Sequence, residues 1–421
     1  MARYIEKLTP VSEALRLLKE RVSPIEEWFD APVWEANGMV LARDVHAPID
    51  WPPRDRSAYD GYAVRSVDTP GRLKLVGSAT IGSIPAIRLG PGEAAYVTTG
   101  GFLPEGADAV VPEENASVEG GHVIIDQRVE PGSYVDKRGS LVSKGQLVAK
   151  RGTVLTVLDI AGLVESAITE VPVYRRVKIA IVSTGNELIY PGEPAWTARE
   201  ILSGKVVATT GAVLAQYLQD YVPWAELVHE ALLPDDLEAV SWTVERLLPH
   251  ADIILVTGGT GPSTIDLFYR LRDKLGGELV FRGLKVVGGK PTSAYIVDGK
   301  PVIGLSGYPI SALHGFIRLV YPLLIHMGNV RRPAPPLPIV WAVLASRVEP
   351  KRPRPIKVRL RVENGRIVAE PLPWKYQKSS AGIGLVMADG LALTGEEPLE
   401  PGSLVPVLLY RAPAGWRPPI P

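Results

Sequence analysis

Cysteine is missing from all 421 residues, which removes disulfides, thiolate metal sites and cysteine nucleophiles together. Net charge is missing too. The 46 basic residues balance 46 acidic ones, so bulk electrostatics offers no hold on nucleic acid or an anionic membrane. No uninterrupted apolar run reaches the roughly 18 residues that a membrane span needs. The first residues, MARYIEKLTPVSEALRLLKERV, lack the apolar core of a secretion signal, and a cytoplasmic protein is expected. Asn and Gln are scarce at five each and Met numbers four, while Pro reaches 39. That mix matches the avoidance of thermolabile residues in thermophile proteins.

What is present divides the chain, whose length calls for two to four domains. Residues 11–22 read as an amphipathic helix. Thr9 is its expected cap, Pro10 sits in the first turn, and Val11, Ala14, Leu15, Leu18 and Val22 share a face. Residues 50–147 carry short apolar runs between Gly and Pro turns, the texture of a small β-domain. From 178 the rhythm is buried strand, loop, helix. VKIAIVS, WAELVHEALL and ADIILVTGG read as strands, while 205–221, DDLEAVSWTVERLL and 265–275 read as helices. SAYIVDGKPVIGLSG is hairpin-like about Asp298-Gly299, and the helix ISALHGFIRLVYPLL follows. Such alternation predicts a mostly parallel, doubly wound α/β sheet over 178–330. RRPAPPLP is a stiff linker, and the hairpin about Asn364-Gly365 opens a small C-terminal β-barrel or sandwich over 331–421. Residues 1–49 and 148–177 form the remaining helical and extended part.

Ligands of an open parallel sheet bind outside the carboxyl ends of its strands. Three such ends are unusual here: STGNEL (183–188), TGGTGPSTID (257–266) and LSGYP (305–309). They make Thr184, Gly185, Ser306, Gly307 and Pro309 candidate ligand contacts. Gly258, Gly259 and Gly261 let backbone N–H groups approach an anion with no Cβ in the way, and the following helix adds its positive end. A plain tight turn explains one such loop equally well, but three at one edge favour a phosphate-bearing ligand. Asp266 beside an anion site implies an intervening cation, Mg²⁺, with Glu187 and Asp236 as further ligands. Asp236 has a rival explanation, because PDDLE is an ordinary helix start that it caps. In the β-domain, DRSAYDGYAV places Asp55, Ser57 and Asp60 around one Gly, and VTTGG follows a strand with Thr99. Glu113 and Glu114 read as a solvated rim.

In order, these segments resemble the molybdopterin molybdenumtransferase family, the MoeA proteins and the gephyrin E-domain. DRSAYDGYAV resembles its DNSAMDGYAV, and the TGGFLPEGADAVVPEE stretch its TGA…GADAVV motif. STGNELIYPG is similar to STGDEL-x-x-PG, GGKPTSAY to PGKP-x-x-F, and LSGYPISA to LPGNPVSA. SSAGIGLVMADGLALTG resembles the family's barrel signature. The resemblance covers nearly the whole chain. It implies an L-shaped homodimer with four domains per protomer and a cleft shared between chains. The implied reaction inserts molybdate, or tungstate, into adenylylated molybdopterin and releases AMP with the help of Mg²⁺. A molybdopterin adenylyltransferase is then a candidate partner.

Carried over on matching positions, the catalytic set is Asp60, Thr99, Glu187, Asp266 and Lys290, with Asp266, Asp236 and Glu187 on the metal. Ser57 and Ser379 join the strand-end residues as substrate contacts, and Arg354 and Arg359 fall near the family's barrel arginines. Leu141 stands where the family has an acid, Val287 where it has a lysine, Asn186 for an aspartate, Gly204 for an asparagine and Tyr308 for the asparagine of GNP. Two other readings stand beside the metal-inserting one. Nucleotidyl transfer is suggested by the spelling TGGTGP, and a non-catalytic scaffold by the missing acid and lysine.

Overall fold

The computed structural model describes residues 8–190, 192–258, 265–286, 289–333, 338–349, 355–378, 382–394 and 397–416, with Ile265 and Asp266 described by backbone alone. Helix α1 (Val11–Lys19) buries Ala14 and Leu18 and rests Val11 and Leu15 on the same core, as its periodicity requires. Thr9 does not cap it. Pro10 takes the N-cap position, while the Thr9 backbone is held in a bridge to Leu284, donating to the Gly283 carbonyl at 3.0 Å and accepting from Lys285 N at 2.8 Å.

Strands Trp28–Pro32, Glu170–Tyr174 and Val40–Leu41 form a three-stranded sheet. Against it packs α2 (Val157–Glu165), opened by a Thr156/Asp159 capping box. Between these halves, residues 61–125 form a mixed six-stranded sheet with Gly61–Val64 near one edge.

The centre of the chain is a second six-stranded sheet. Its strands are β1 (Val177–Thr184), β2 (Ala225–Leu233), β3 (Ile253–Thr257), β4 (Glu278–Arg282), β5 (Ser293–Val297) and β6 (Lys300–Leu305). The order is β2-β1-β3-β6-β5-β4. The first four strands run parallel, and β5 and β4 add on antiparallel. The near-continuous apolar runs of β1 and β3 are buried on both faces, as strands covered by helices must be. The stretch 205–221, read as one helix, divides: Val206–Val207 pairs in parallel with Leu188–Ile189, and α4 (Thr209–Tyr221) starts after it. Two adjacent β-branched residues favour the extended pairing. The other helices are α3 (Pro194–Leu202), α5 (Leu237–Leu247) and α6 (Ile265–Lys274). A composite follows: α7 (Pro309–Gly315), a π-helical turn Phe316–Val320, and α8 (Tyr321–Met327). By length and apolar composition this composite, Pro309–Met327, passes for a membrane span, yet 72% of its most apolar window is buried inside the protein. It is the core helix, carrying Ala312, Phe316, Leu319, Leu323 and Leu324.

The last region closes into a five-stranded barrel of β7 (Ile339–Leu344), β8 (Pro355–Glu363), β9 (Arg366–Pro371), β10 (Gly390–Leu393) and β11 (Leu404–Leu409). Asn364 (φ 50°) and Gly365 (φ 73°) make the two left-handed turn residues that the β8–β9 hairpin needs.

Candidate functional site

A cleft of about 610 Å³ opens at the carboxyl edge of the central sheet. β1 contributes Ser183 and Thr184, β3 contributes Thr257 and then Gly258, and the turn after β6 contributes Ser306 and Gly307. The three unusual loops therefore meet. Gly258 lies at φ +89°, and a Cβ there would sit 2.1 Å from the Thr184 carbonyl oxygen. Only glycine lets these two strand ends approach so closely. Gly185 is buried, and its missing Cβ leaves room for Leu188 and for the Glu187 carboxylate, 2.9 Å from where that Cβ would stand. Glu187 is exposed at the cleft, and its carbonyl accepts from Val206 N at 2.8 Å. Pro309 lines the cleft at the start of α7, while exposed Lys290 precedes the lining residue Pro291.

Other residues expected at the site lie apart from this cleft. Asp236 caps α5, accepting from Ala239 N at 2.8 Å, and does not line the cleft. Its loop is tied back by Asn186, whose Oδ1 accepts from Asp235 N at 3.1 Å. Among the described residues no three His, Cys, Asp or Glu side chains gather as a metal site. Gly259, Gly261, Ser379, Arg354, Val287 and the side chain of Asp266 lie outside the described residues. Arg359 is exposed on β8 and donates from Nε to the Met387 carbonyl at 3.2 Å.

Asp60 and Thr99 do come together, in the β-domain. The Asp60 carboxylate accepts from Thr99 N at 2.6 Å and from Thr99 Oγ1 at 3.1 Å, and both residues are exposed. Neither reaches the α/β cleft of its own chain. Ser57 is buried and its hydroxyl donates to the Tyr59 carbonyl, so it shapes the loop from inside. Glu113 and Glu114 are exposed, as a solvated rim requires, and Glu113 also accepts from the Tyr96 phenol at 3.2 Å. Desolvation, then the Glu113 charge, push that phenol's pKa up. Leu141 stands 57% exposed, with its N–H on the Trp51 carbonyl.

The Asp60 loop is held by two acids. Asp55 accepts from Arg138 N and Lys137 Nζ, both at 2.9 Å, and Asp50 accepts from Lys144 N at 2.8 Å and Arg138 Nε at 2.7 Å. The Lys144 amide, followed by Arg138, lowers the pKa of Asp50. Burial pushes Asp55 up, but the Arg138 amide and Lys137 outweigh it and the net direction is down. A carboxylate with a depressed folded pKa lends stability that is complete above the unfolded value of about 3.9 and is lost as pH falls through the lower folded value. The amide resonances of Arg138 and Lys144 should therefore stay fixed down to about pH 4 and shift only below it. Movement of both between about pH 5 and 7, above the range in which these carboxylates titrate, would rule out the clamp.

Sequence reasoning missed Thr209 and Thr210, which enter the cleft from the first turn of α4, and Gly382, which arrives from the barrel region. The signal for the first two was ATTG before an apolar-periodic stretch. Gly382 lies in the stretch SSAGIGLVMADGLALTG, whose family resemblance is the available signal, although Ser379 is the residue carried over from it.

A mostly parallel α/β sheet with a hydroxyl-lined cleft at its carboxyl edge, preceded in the chain by a β-domain and followed by a β-barrel, defines a multidomain protein of the α/β class whose ligands bind at that edge. Family models match it in three successive stretches. These are the MoeA N-terminal region (domain I and II) over residues 9–166, a probable molybdopterin binding domain over 180–326, and the MoeA C-terminal region (domain IV) over 342–410. The molybdopterin molybdenumtransferase of Nostoc sp. is 31% identical over 310 residues, 71% of this chain and 69% of that protein. That of Bacillus subtilis is 28% identical over 429 residues, 98% of this chain and 96% of that one. The crystal structure of the molybdopterin biosynthesis MoeA protein from Pyrococcus horikoshii superposes with a TM-score of 0.77 at 29% identity, covering 96% of this chain and all of the other. The chain belongs to the molybdopterin molybdenumtransferase (MoeA) family, the transferases of molybdenum cofactor biosynthesis.

Proposed function

We propose that this enzyme inserts molybdate, or tungstate, into adenylylated molybdopterin and releases AMP. The cleft carries this reading, because its three strand ends offer hydroxyls and glycine backbone to a phosphorylated ligand. Family membership supplies the substrate class. The protein is placed in the cytoplasm, where a molybdopterin adenylyltransferase would hand it the adenylylated pterin.

Mg²⁺ fits the donors available. It binds through one or two carboxylates plus substrate phosphates and keeps several waters. Exposed Glu187 at the cleft suits that role, with Asp266 as the proposed second ligand and Asp236, already capping α5, in reserve. When bound, Mg²⁺ would polarise the phosphoanhydride. Thr184, Ser306 and the Gly258 backbone orient the pterin phosphate, with Gly185, Gly307 and Pro309 beside it, and the resemblance adds Gly259, Gly261 and Ser379 to the substrate contacts. Lys290 neutralises charge at the cleft mouth.

Asp60 and Thr99 act on a second chain. They form an exposed, mutually bonded pair outside the cleft of their own protomer, which supports a two-fold dimer with two shared clefts. A single incubation tests the reaction: protein, adenylylated molybdopterin and Mg²⁺, with and without molybdate or tungstate, following AMP. Oxyanion-dependent AMP release is expected. Adenylylation from ATP instead would make it a nucleotidyltransferase, and tight pterin binding without turnover a scaffold.

A further inference from the structure

Helix α4 enters the cleft without a cap. The first N–H groups of any helix have no partner within it, and a Ser, Thr, Asp or Asn at the N-cap usually supplies one. Ala208 occupies that position here and has no acceptor to offer. The Thr210 hydroxyl is also turned away, donating to the Gly307 carbonyl at 2.6 Å. That bond, with the close packing of Gly211 on Ser183, wedges the first turn of α4 between two walls of the cleft. A Cβ on Gly211 would stand 2.8 Å from Ser183 Oγ. Thr209 and Thr210 line the space.

A second, independent feature belongs to a residue that lines the same space. Thr184 is 1% exposed, and its Oγ1 has no hydrogen-bond partner among the described residues. A hydroxyl carried into the interior and left unbonded is costly, and each such group calls for an explanation. It lies beside Gly258, at 3.2 Å from where a Cβ would stand, and Thr184 lines the cleft. Both features lack the same thing, an acceptor.

We propose that the amino end of α4 and the Thr184 hydroxyl form a subsite for a tetrahedral oxyanion, a phosphate ester or molybdate. The inference rests on the proposed function insofar as both groups belong to that reaction's substrates. The donors are neutral hydroxyls and N–H groups aided by the helix dipole. Two carboxylates stand near. Glu187 is exposed at the cleft, where the proposed Mg²⁺ would separate it from the anion. Glu230 approaches Gly211 from β2, with no hydrogen bond to the helix N–H groups among the described residues.

Calorimetry on the full chain tests the subsite with three probes: molybdate, inorganic phosphate and AMP. Thr184→Val removes the hydroxyl at nearly constant volume. Thr209→Pro removes one N–H at the first helical position, where proline is tolerated. Each variant should weaken at least one probe by about tenfold or more, the effect of losing a hydrogen bond to a charged group. Loss of molybdate alone assigns the subsite to molybdate; loss of phosphate and AMP assigns it to the ester. Thr184→Val should also melt no lower than the parent, because it removes an unsatisfied polar group. Affinities for all three probes within about twofold of the parent in both folded variants would overturn the subsite. So would a parent that binds none of them. The assay needs no turnover. Variant affinities that match the parent, alongside oxyanion-dependent AMP release by the parent, therefore count against the subsite alone, and weakened binding in the variants of a parent that releases no AMP counts against the reaction alone.

Discussion

Gly258→Ala is expected to remove pterin binding and destabilise the α/β region by roughly 2–4 kcal/mol, near the upper end for a single substitution. Two independent effects add. At φ +89° any L side chain is strained, a term of about 1–2 kcal/mol. The new Cβ would also fall 2.1 Å from the Thr184 carbonyl oxygen. That neighbour is backbone, so no rotamer change relieves the overlap. β1 and β3 pair in register at Ser183 and Thr257, so pushing Gly258 away from Thr184 separates the strand ends that form the cleft. Thermal unfolding and calorimetric titration with the pterin substrate measure the two effects. Gly365→Ala is the control, since it is also at positive φ (73°) but has open space around it. It should carry the conformational term alone, about 1 kcal/mol. If the two variants melt alike and Gly258→Ala still binds, close approach is not what builds the cleft.

The central sheet was legible because its signals are local. β1 and β3 are unbroken apolar runs, and Asp298-Gly299 and Asn364-Gly365 place left-handed residues where hairpins turn, with φ of 49°, 77°, 50° and 73°. The start of α4 was not legible, because Val206 and Val207 fit a helical period as well as a strand. Only pairing with Leu188 and Ile189, a tertiary fact, decides between them. Thr9 misled for a related reason. It had the chemistry of a cap, but its main chain is claimed by Gly283 and Lys285, more than 270 residues away. Among site residues, Thr184, Gly258, Ser306 and Gly307 could be found because the rule for parallel sheets sends strand ends to one edge. Thr209 and Thr210 could not, since their arrival depends on how α4 docks, and within the stretch SSAGIGLVMADGLALTG only the docking of the barrel region selects Gly382. Ser57 sat in a motif dense with polar residues, and whether such a hydroxyl faces inward or outward is set by the pairing of Arg56–Ser57 with Val135–Asp136.

Asp60→Ala and Asp266→Ala, each expected to be inactive alone, should restore about a quarter of parental activity when unfolded together in equal amounts and refolded. The reasoning starts from placement. Asp60 and Thr99 are bonded to each other on the β-domain, clear of the α/β cleft of their own chain. Asp266 lies in the first turn of α6, the helix that follows β3 in the chain, and β3 brings Thr257 and Gly258 to that cleft. In a two-fold dimer each cleft would take Asp60 from one protomer and Asp266 from its partner. Random reassembly makes about half of the dimers mixed. In a mixed dimer one cleft carries both lesions and the other carries neither, so half of its clefts work. Half of a half is the expected quarter. If both residues served the cleft of a single chain, every cleft in every dimer would keep one lesion. Subunit exchange is verified separately by mass-tagging one variant. A mixture with proven exchange and no activity would place Asp60 and Asp266 in the same chain's site and leave the exposed Asp60–Thr99 pair without a facing cleft.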